Sequence, residues 1–150
     1  MQNLLNFHQL TDDIATAGQP AKDQFAAIQR AGYSTVINLA MSNSSNAVPE
    51  EEAIVTELGM RYVHIPVPFD KPDIQHLRIF IAVMTALSGQ KVFVHCALNM
   101  RVSAFLYQYL VQVRGVAPEQ ARSPILIGWL PNMEAEWQAI MSASAEDLNL

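Results

Sequence analysis

A chain of 150 residues, 51% apolar and 15% charged, is long enough for one domain with a real core and too apolar for a disordered polymer. Its net charge of −5 argues against nucleic acid or an anionic membrane surface as a general partner, while leaving room for a small positive pocket. A single cysteine excludes an internal disulfide and any site built on several thiolates.

The first ten residues lack a basic end followed by a long apolar core, so a cytoplasmic location is expected, or a periplasmic one for a trimmed chain. No apolar stretch reaches the length of a membrane span. Residues 13–17 read as a short first strand, closed by Gly18-Gln19-Pro20. Residues 21–31 read as a helix with Phe25 and Ile28 inward, stopped by Gly32. Thr35-Val36-Ile37-Asn38-Leu39 is a β-branched strand, and 41–48 is a Ser- and Asn-rich loop. Pro49 suits a first helical position, and Glu50, Glu51 and Glu52 suit the positive end of the dipole, a solvated helix start. Ile54, Val55 and Leu58 form that helix's apolar stripe, and Gly59 ends it. Residues 61–66 give another strand, 74–87 a third helix and 91–95 the strand that leads to the cysteine. The helix predicted over 101–114 is apolar nearly all round, which places it at the centre of the fold. A last helix starts near Pro131-Asn132 and carries Met133, Trp137, Ile140 and Met141 at helical spacing. Strands separated by helices imply a single α/β domain over 1–150, with a mostly parallel sheet covered on both faces. Ligands of such sheets sit beyond the carboxyl ends of the strands, where Cys96 lies.

The segment Val94-His95-Cys96-Ala97-Leu98-Asn99-Met100-Arg101-Val102-Ser103 carries the chemistry. It puts a thiol at a strand-to-helix turn, where unpaired amides and the helix dipole attract an anion and favour a thiolate. The backbone amides of Ala97, Leu98, Asn99, Met100, Arg101 and Val102 can hold the non-bridging oxygens of a phosphate or sulfate ion. The Arg101 guanidinium adds planar, always-charged support. A thiolate so placed suits attack on a phosphate monoester through a covalent thiophosphate, and a carboxylic acid on a neighbouring loop must protonate the departing oxygen.

The same segment, with Ala17-Gly18-Gln19-Pro20, Gly32-Tyr33-Ser34-Thr35-Val36-Ile37-Asn38-Leu39 and Tyr62-Val63-His64-Ile65-Pro66-Val67, resembles the dual-specificity and tyrosine phosphatase superfamily, and within it a bacterial subgroup. The resemblance implies that fold, Cys96 as nucleophile, Arg101 as phosphate binder and Ser103 as the hydroxyl assisting departure of the cysteine. His95 would stiffen the loop and support the thiolate. In the loop after the second long strand, Asp70 is the first choice for the general acid, with Asp73 as a helix cap. Two features depart from the superfamily pattern. Four residues rather than five separate Cys96 from Arg101, and Asn99 stands where a glycine is usual. Ser103 keeps its distance from the cysteine, so the loop reads as one of normal length whose arginine has moved back one place. Asparagine tolerates the left-handed backbone that a glycine would serve there.

Two other functions fit parts of the pattern. Rhodanese-like sulfurtransferases also place a cysteine at a helix start, commonly with an arginine five positions on, and a non-catalytic module could bind phosphorylated ligands with the same loop. No cofactor is expected, and no His/Asp/Glu spacing suggests a metal site. His64 reads as a sheet residue, Trp129 and Trp137 as packing, and Gln19 and Asn38 as turn and sheet residues near the pocket. Substrate identity and oligomeric state stay open.

Overall fold

Short runs of β-branched and aromatic residues pair side by side in the computed structural model, which describes residues 1–150. The strands are β1 (His8–Gln9), β2 (Ile14–Ala17), β3 (Thr35–Asn38), β4 (Arg61–His64) and β5 (Val92–His95). Their order across the sheet is β1-β2-β5-β3-β4. Only β1 is antiparallel, pairing with β2 at the edge; the other pairs are parallel. Ala17 and Asn38 are level with His95 on either side, so β2, β3 and β5 end together and Cys96 is the first residue beyond that edge.

Alternation along each strand divides the core in two. Ile14, Ile37, Val92 and Val94 face one side, where they pack with α3 (Ile74–Ala86), α4 (Met100–Gln112), α6 (Pro124–Trp129) and α7 (Ala135–Met141). Ala15, Ala17, Val36 and Phe93 face the other, where Phe25 and Ile28 of α1 (Phe25–Arg30) and Val55 of α2 (Glu51–Glu57) cover them. The expected two-faced α/β sheet is therefore present, and α4 is the buried central helix, with its apolar residues from Val102 to Leu110 enclosed apart from the half-buried Tyr107. The same alternation decides the site. His95 shares the side of Phe93, toward α1 and α2, while Cys96 joins the opposite cluster.

Several boundaries differ from the sequence expectation. A 3-10 turn (Lys22–Gln24) precedes α1. Pro49 lies outside α2, because Glu50 takes a left-handed conformation at its N-cap (φ 62°) and the helix begins at Glu51. Two short helices follow α4 in a segment the sequence reading leaves unassigned: α5 (Pro118–Ala121) and α6. Both start on a proline, and Ser123 caps α6 by accepting a hydrogen bond from the Leu126 amide. Another 3-10 turn (Leu130–Asn132) follows, so α7 begins at Ala135 rather than near Pro131. Asp73 caps α3 as expected, its carboxylate accepting from the Gln75 amide at 2.8 Å.

Candidate active site

The turn after β5 has its carbonyls engaged and its amides free. His95 Nδ1 meets the Cys96 carbonyl at 3.2 Å, and the Gln19 amide and Asn46 Nδ2 donate to the Ala97 carbonyl at 3.0 and 3.1 Å. Asn6 Nδ2 donates to the Leu98 carbonyl at 3.0 Å. None of the backbone amides of residues 96–102 donates to a protein acceptor. Free N–H groups at the start of a 13-residue helix are donors of the kind that suit an oxyanion. Two residues make the bend feasible. Asn99 takes the left-handed conformation (φ 70°) expected of it, and its Nδ2 donates to the Asn6 carbonyl at 2.8 Å and to Thr16 Oγ1 at 3.1 Å. Gly18 lets the neighbouring turn approach, since a Cβ there would sit 2.7 Å from the Ala97 carbonyl oxygen.

Cys96 and Arg101 line one cavity of about 310 Å³, together with Phe69, Leu98, Met100 and Glu134. Cys96 is 1% exposed and forms part of its floor. Arg101 is 7% exposed, which is costly for a cation without partners. One hydrogen bond holds it, Nη1 donating to the Val67 carbonyl at 2.8 Å, and its Nε donates to nothing. The guanidinium also stands 5.9 Å from the Phe69 ring centre. Phe69 is fixed in turn between Trp129 and Trp137, at 5.6 and 5.7 Å, and the Trp137 indole donates to the Phe69 carbonyl at 2.6 Å. The two tryptophans read as packing residues thus brace the wall of the cavity.

The remaining sequence candidates separate. Ser103 is buried in the first turn of α4, its hydroxyl donating to the Met100 carbonyl at 2.6 Å. Asp70 is exposed and lies outside the cavity wall. The carboxylate in that wall is Glu134, which the sequence reading passes over; Trp129 Nε1 donates to its Oε1 at 2.8 Å. No local pattern marks Glu134, because it reaches the cavity only through the α6-to-α7 turn. Glu51 is a correction. It is not solvated but 5% exposed, its Oε2 lying 2.6 Å from His95 Nε2 and its Oε1 accepting from Gln19 Nε2 at 2.8 Å. Behind this pair lies a second cavity of about 370 Å³, on the opposite side of the sheet, whose lining includes Gln19, Asn38, Glu51, Tyr62 and His64. Gln19 and Asn38 therefore border that cavity and not the one at Cys96. Burial first, and the neighbouring Glu51 carboxylate after it, push the Tyr62 phenol up to about 12. His64 Nε2 meets the Ala40 carbonyl at 2.7 Å, a satisfied residue at the sheet's end.

Residues 6–112 match the model of the phosphatase-like domain of beta-lactamase hydrolase-like proteins. The chain belongs to that family. Membership agrees with the expected phosphatase-like fold and not with the rhodanese-like alternative. Among solved structures, a candidate phosphatase of the DUF442 group from Shewanella putrefaciens is 34% identical, with a TM-score of 0.86 over 94% of this chain and 91% of that one. Tk-PTP in its active form is 18% identical, with a TM-score of 0.75 over 94% and 97%. TpbA of P. aeruginosa, in complex with phosphotyrosine, is 17% identical, with a TM-score of 0.73 over 96% and 88%. The latter two share the fold. No curated protein matches the chain. No helix is long and apolar enough to cross a membrane.

Proposed function

We propose that this member of the family is a cysteine-dependent phosphatase that hydrolyses phosphate monoesters. What carries the reading is the buried Arg101 guanidinium with an unpartnered Nε, in the wall of the cavity that Cys96 floors and beside a row of free loop amides. Donors left unsatisfied inside a fold are expensive, and a tetraoxyanion would satisfy them together. The Cys96 thiolate attacks phosphorus, forming the S–P bond as the ester P–O bond breaks. The departing oxygen takes a proton from a carboxylic acid, and water then attacks the thiophosphate and releases phosphate and thiolate. Ser103 is carried over from the superfamily resemblance as the hydroxyl that assists this second departure. Glu134 stands in the cavity wall and is the proton donor we assign; Asp70, expected from its loop position, would have to swing inward to serve.

The cavity offers one cation against apolar Phe69, Leu98 and Met100 and acidic Glu134, which suits a single phosphate on an aryl or apolar group better than a polyphosphate. The phosphotyrosine held by TpbA is a ligand of that kind. The test is hydrolysis of 4-nitrophenyl phosphate. Turnover should fall to background in Cys96→Ser and by about 100-fold in Arg101→Lys, since an ammonium cannot replace a planar fork. Activity that survives Cys96→Ser would contradict the proposal. Tight vanadate binding without turnover would instead assign the loop to the non-catalytic recognition of phosphate groups.

A further inference from the structure

We infer that Glu51 is a positioning residue of the catalytic loop: it holds a proton on the buried His95 ring, and through that ring it orients the Cys96 carbonyl and favours the thiolate. The inference deepens the proposed function, since it rests on Cys96 being the nucleophile.

The geometry leaves few alternatives. His95 is 0% exposed, and both of its ring nitrogens face acceptors: Nδ1 the Cys96 carbonyl at 3.2 Å and Nε2 the Glu51 carboxylate at 2.6 Å. A carbonyl oxygen can only accept, so Nδ1 carries a hydrogen, and a neutral ring then has none left for Nε2. A second proton must therefore lie between Nε2 and Glu51. Ionised Glu51 makes the ring an imidazolium directly behind the cysteine. Strand alternation explains the arrangement, because His95 points to the α2 side of the sheet and Cys96 to the α4 side.

A further hydrogen bond steadies the Glu51 carboxylate. Gln19, from the turn after β2, donates to the other oxygen of Glu51. Phe25 of α1 and Phe93 of β5 pack their rings near His95, at 6.3 and 6.2 Å, and exclude water from it. The remaining titratable groups bordering the cavity behind Glu51 are Glu50 and Glu52 on its own turn and Tyr62 and His64 on β4. His64 is committed to the Ala40 carbonyl, and no lysine or arginine lines that cavity. His95 is thus the cation available to a carboxylate that would otherwise be buried alone.

Glu51→Gln separates charge from shape. The amide can donate to Nε2 of a neutral ring, so the hydrogen-bonded chain survives while the proton is lost. Because the chain has one cysteine, its alkylation by iodoacetamide reports on Cys96 alone. At neutral pH the alkylation rate should fall about tenfold in Glu51→Gln, and its pH profile should move to higher pH. In a His95→Asn background the same substitution should change nothing further. Equal rates and profiles in the parent and in a folded Glu51→Gln protein would overturn the inference. Where Glu51→Gln fails to fold, the unaltered protein decides through the nitrogen-15 spectrum of its histidine side chains. Two protonated ring nitrogens on His95 at neutral pH support the inference, and a neutral tautomer with Glu51 ionised overturns it. Neither readout involves phosphate release, so this inference and the phosphatase assignment fail separately.

Discussion

Asn99 and Glu51 show what single residues reveal before folding is known. Asn99 interrupts a helix start at the point where the loop must turn left-handed, and asparagine is among the few residues that do so cheaply, so its φ of 70° was legible from its type and place. The places of Cys96 after a strand and Arg101 in a first helical turn were legible for the same reason, since strand, turn and helix patterns are local. Glu51 was not, because three acids at a helix start satisfy the dipole rule without any tertiary partner, and the partner that buries it lies 44 residues away. Glu134 hides behind a turn of a kind that carries no periodicity. Its proposed role makes a definite prediction. Removing a general acid harms poor leaving groups most, so Glu134→Gln should slow alkyl phosphate hydrolysis by about 100-fold and 4-nitrophenyl phosphate hydrolysis far less. Asp70→Asn should show no such leaving-group dependence. The reverse outcome in steady-state kinetics would return the role to Asp70.

Among the elements, the strongly periodic ones were readable and the short ones were not. The sequence spans for α3 and α4 agree with the structure to within one or two residues, because each has an apolar stripe long enough to count. Helices α5 and α6 have too few residues for a period, although Pro118 and the Ser123-Pro124 pair were usable start signals. The two-residue β1 has no pattern at all; pairing with β2 creates it. One contact ties the far end of α4 to the sheet. Just past that helix, Arg114 Nη2 donates to Asp13 Oδ2 at 3.1 Å, in the turn before β2. The Arg114 hydrogen bond is the main cause holding the Asp13 carboxyl below its usual value of 3.8, and partial burial opposes it. A depressed carboxyl favours the fold above its unfolded value, and that contribution disappears as pH falls through the folded one. Asp13→Asn should therefore lower stability near neutral pH by at most about 1 kcal/mol, since the pair is a quarter exposed and screened by solvent. In urea unfolding series, the gap from the parent should close as pH falls below the carboxyl's ordinary value of 3.8. A gap unchanged by pH would refute the ion pair's role.

At the scale of the whole molecule, alternation of strands and helices was enough to place Cys96 just beyond the carboxyl edge of the sheet, because parallel strands send those ends to one side. The order β1-β2-β5-β3-β4 was not available in the same way, since it depends on which faces pair across the sheet and not on any one segment. That order puts β5 at the centre, with β2 and β3 holding its end from both sides and the two cores above and below it. The hydrogen bonds to the loop carbonyls and the cavity lined by Cys96 follow from that one placement. The central claim, a thiolate that takes a phosphoryl group inside this frame, is tested most directly by acid-quenching the protein during turnover of 4-nitrophenyl phosphate and mapping covalent phosphate by peptide mass spectrometry. One phosphoryl group on Cys96, absent from Cys96→Ser, is the expected result. Turnover with phosphate on another residue, or with no trapped phosphoprotein even when Arg101→Lys slows the reaction, would contradict it.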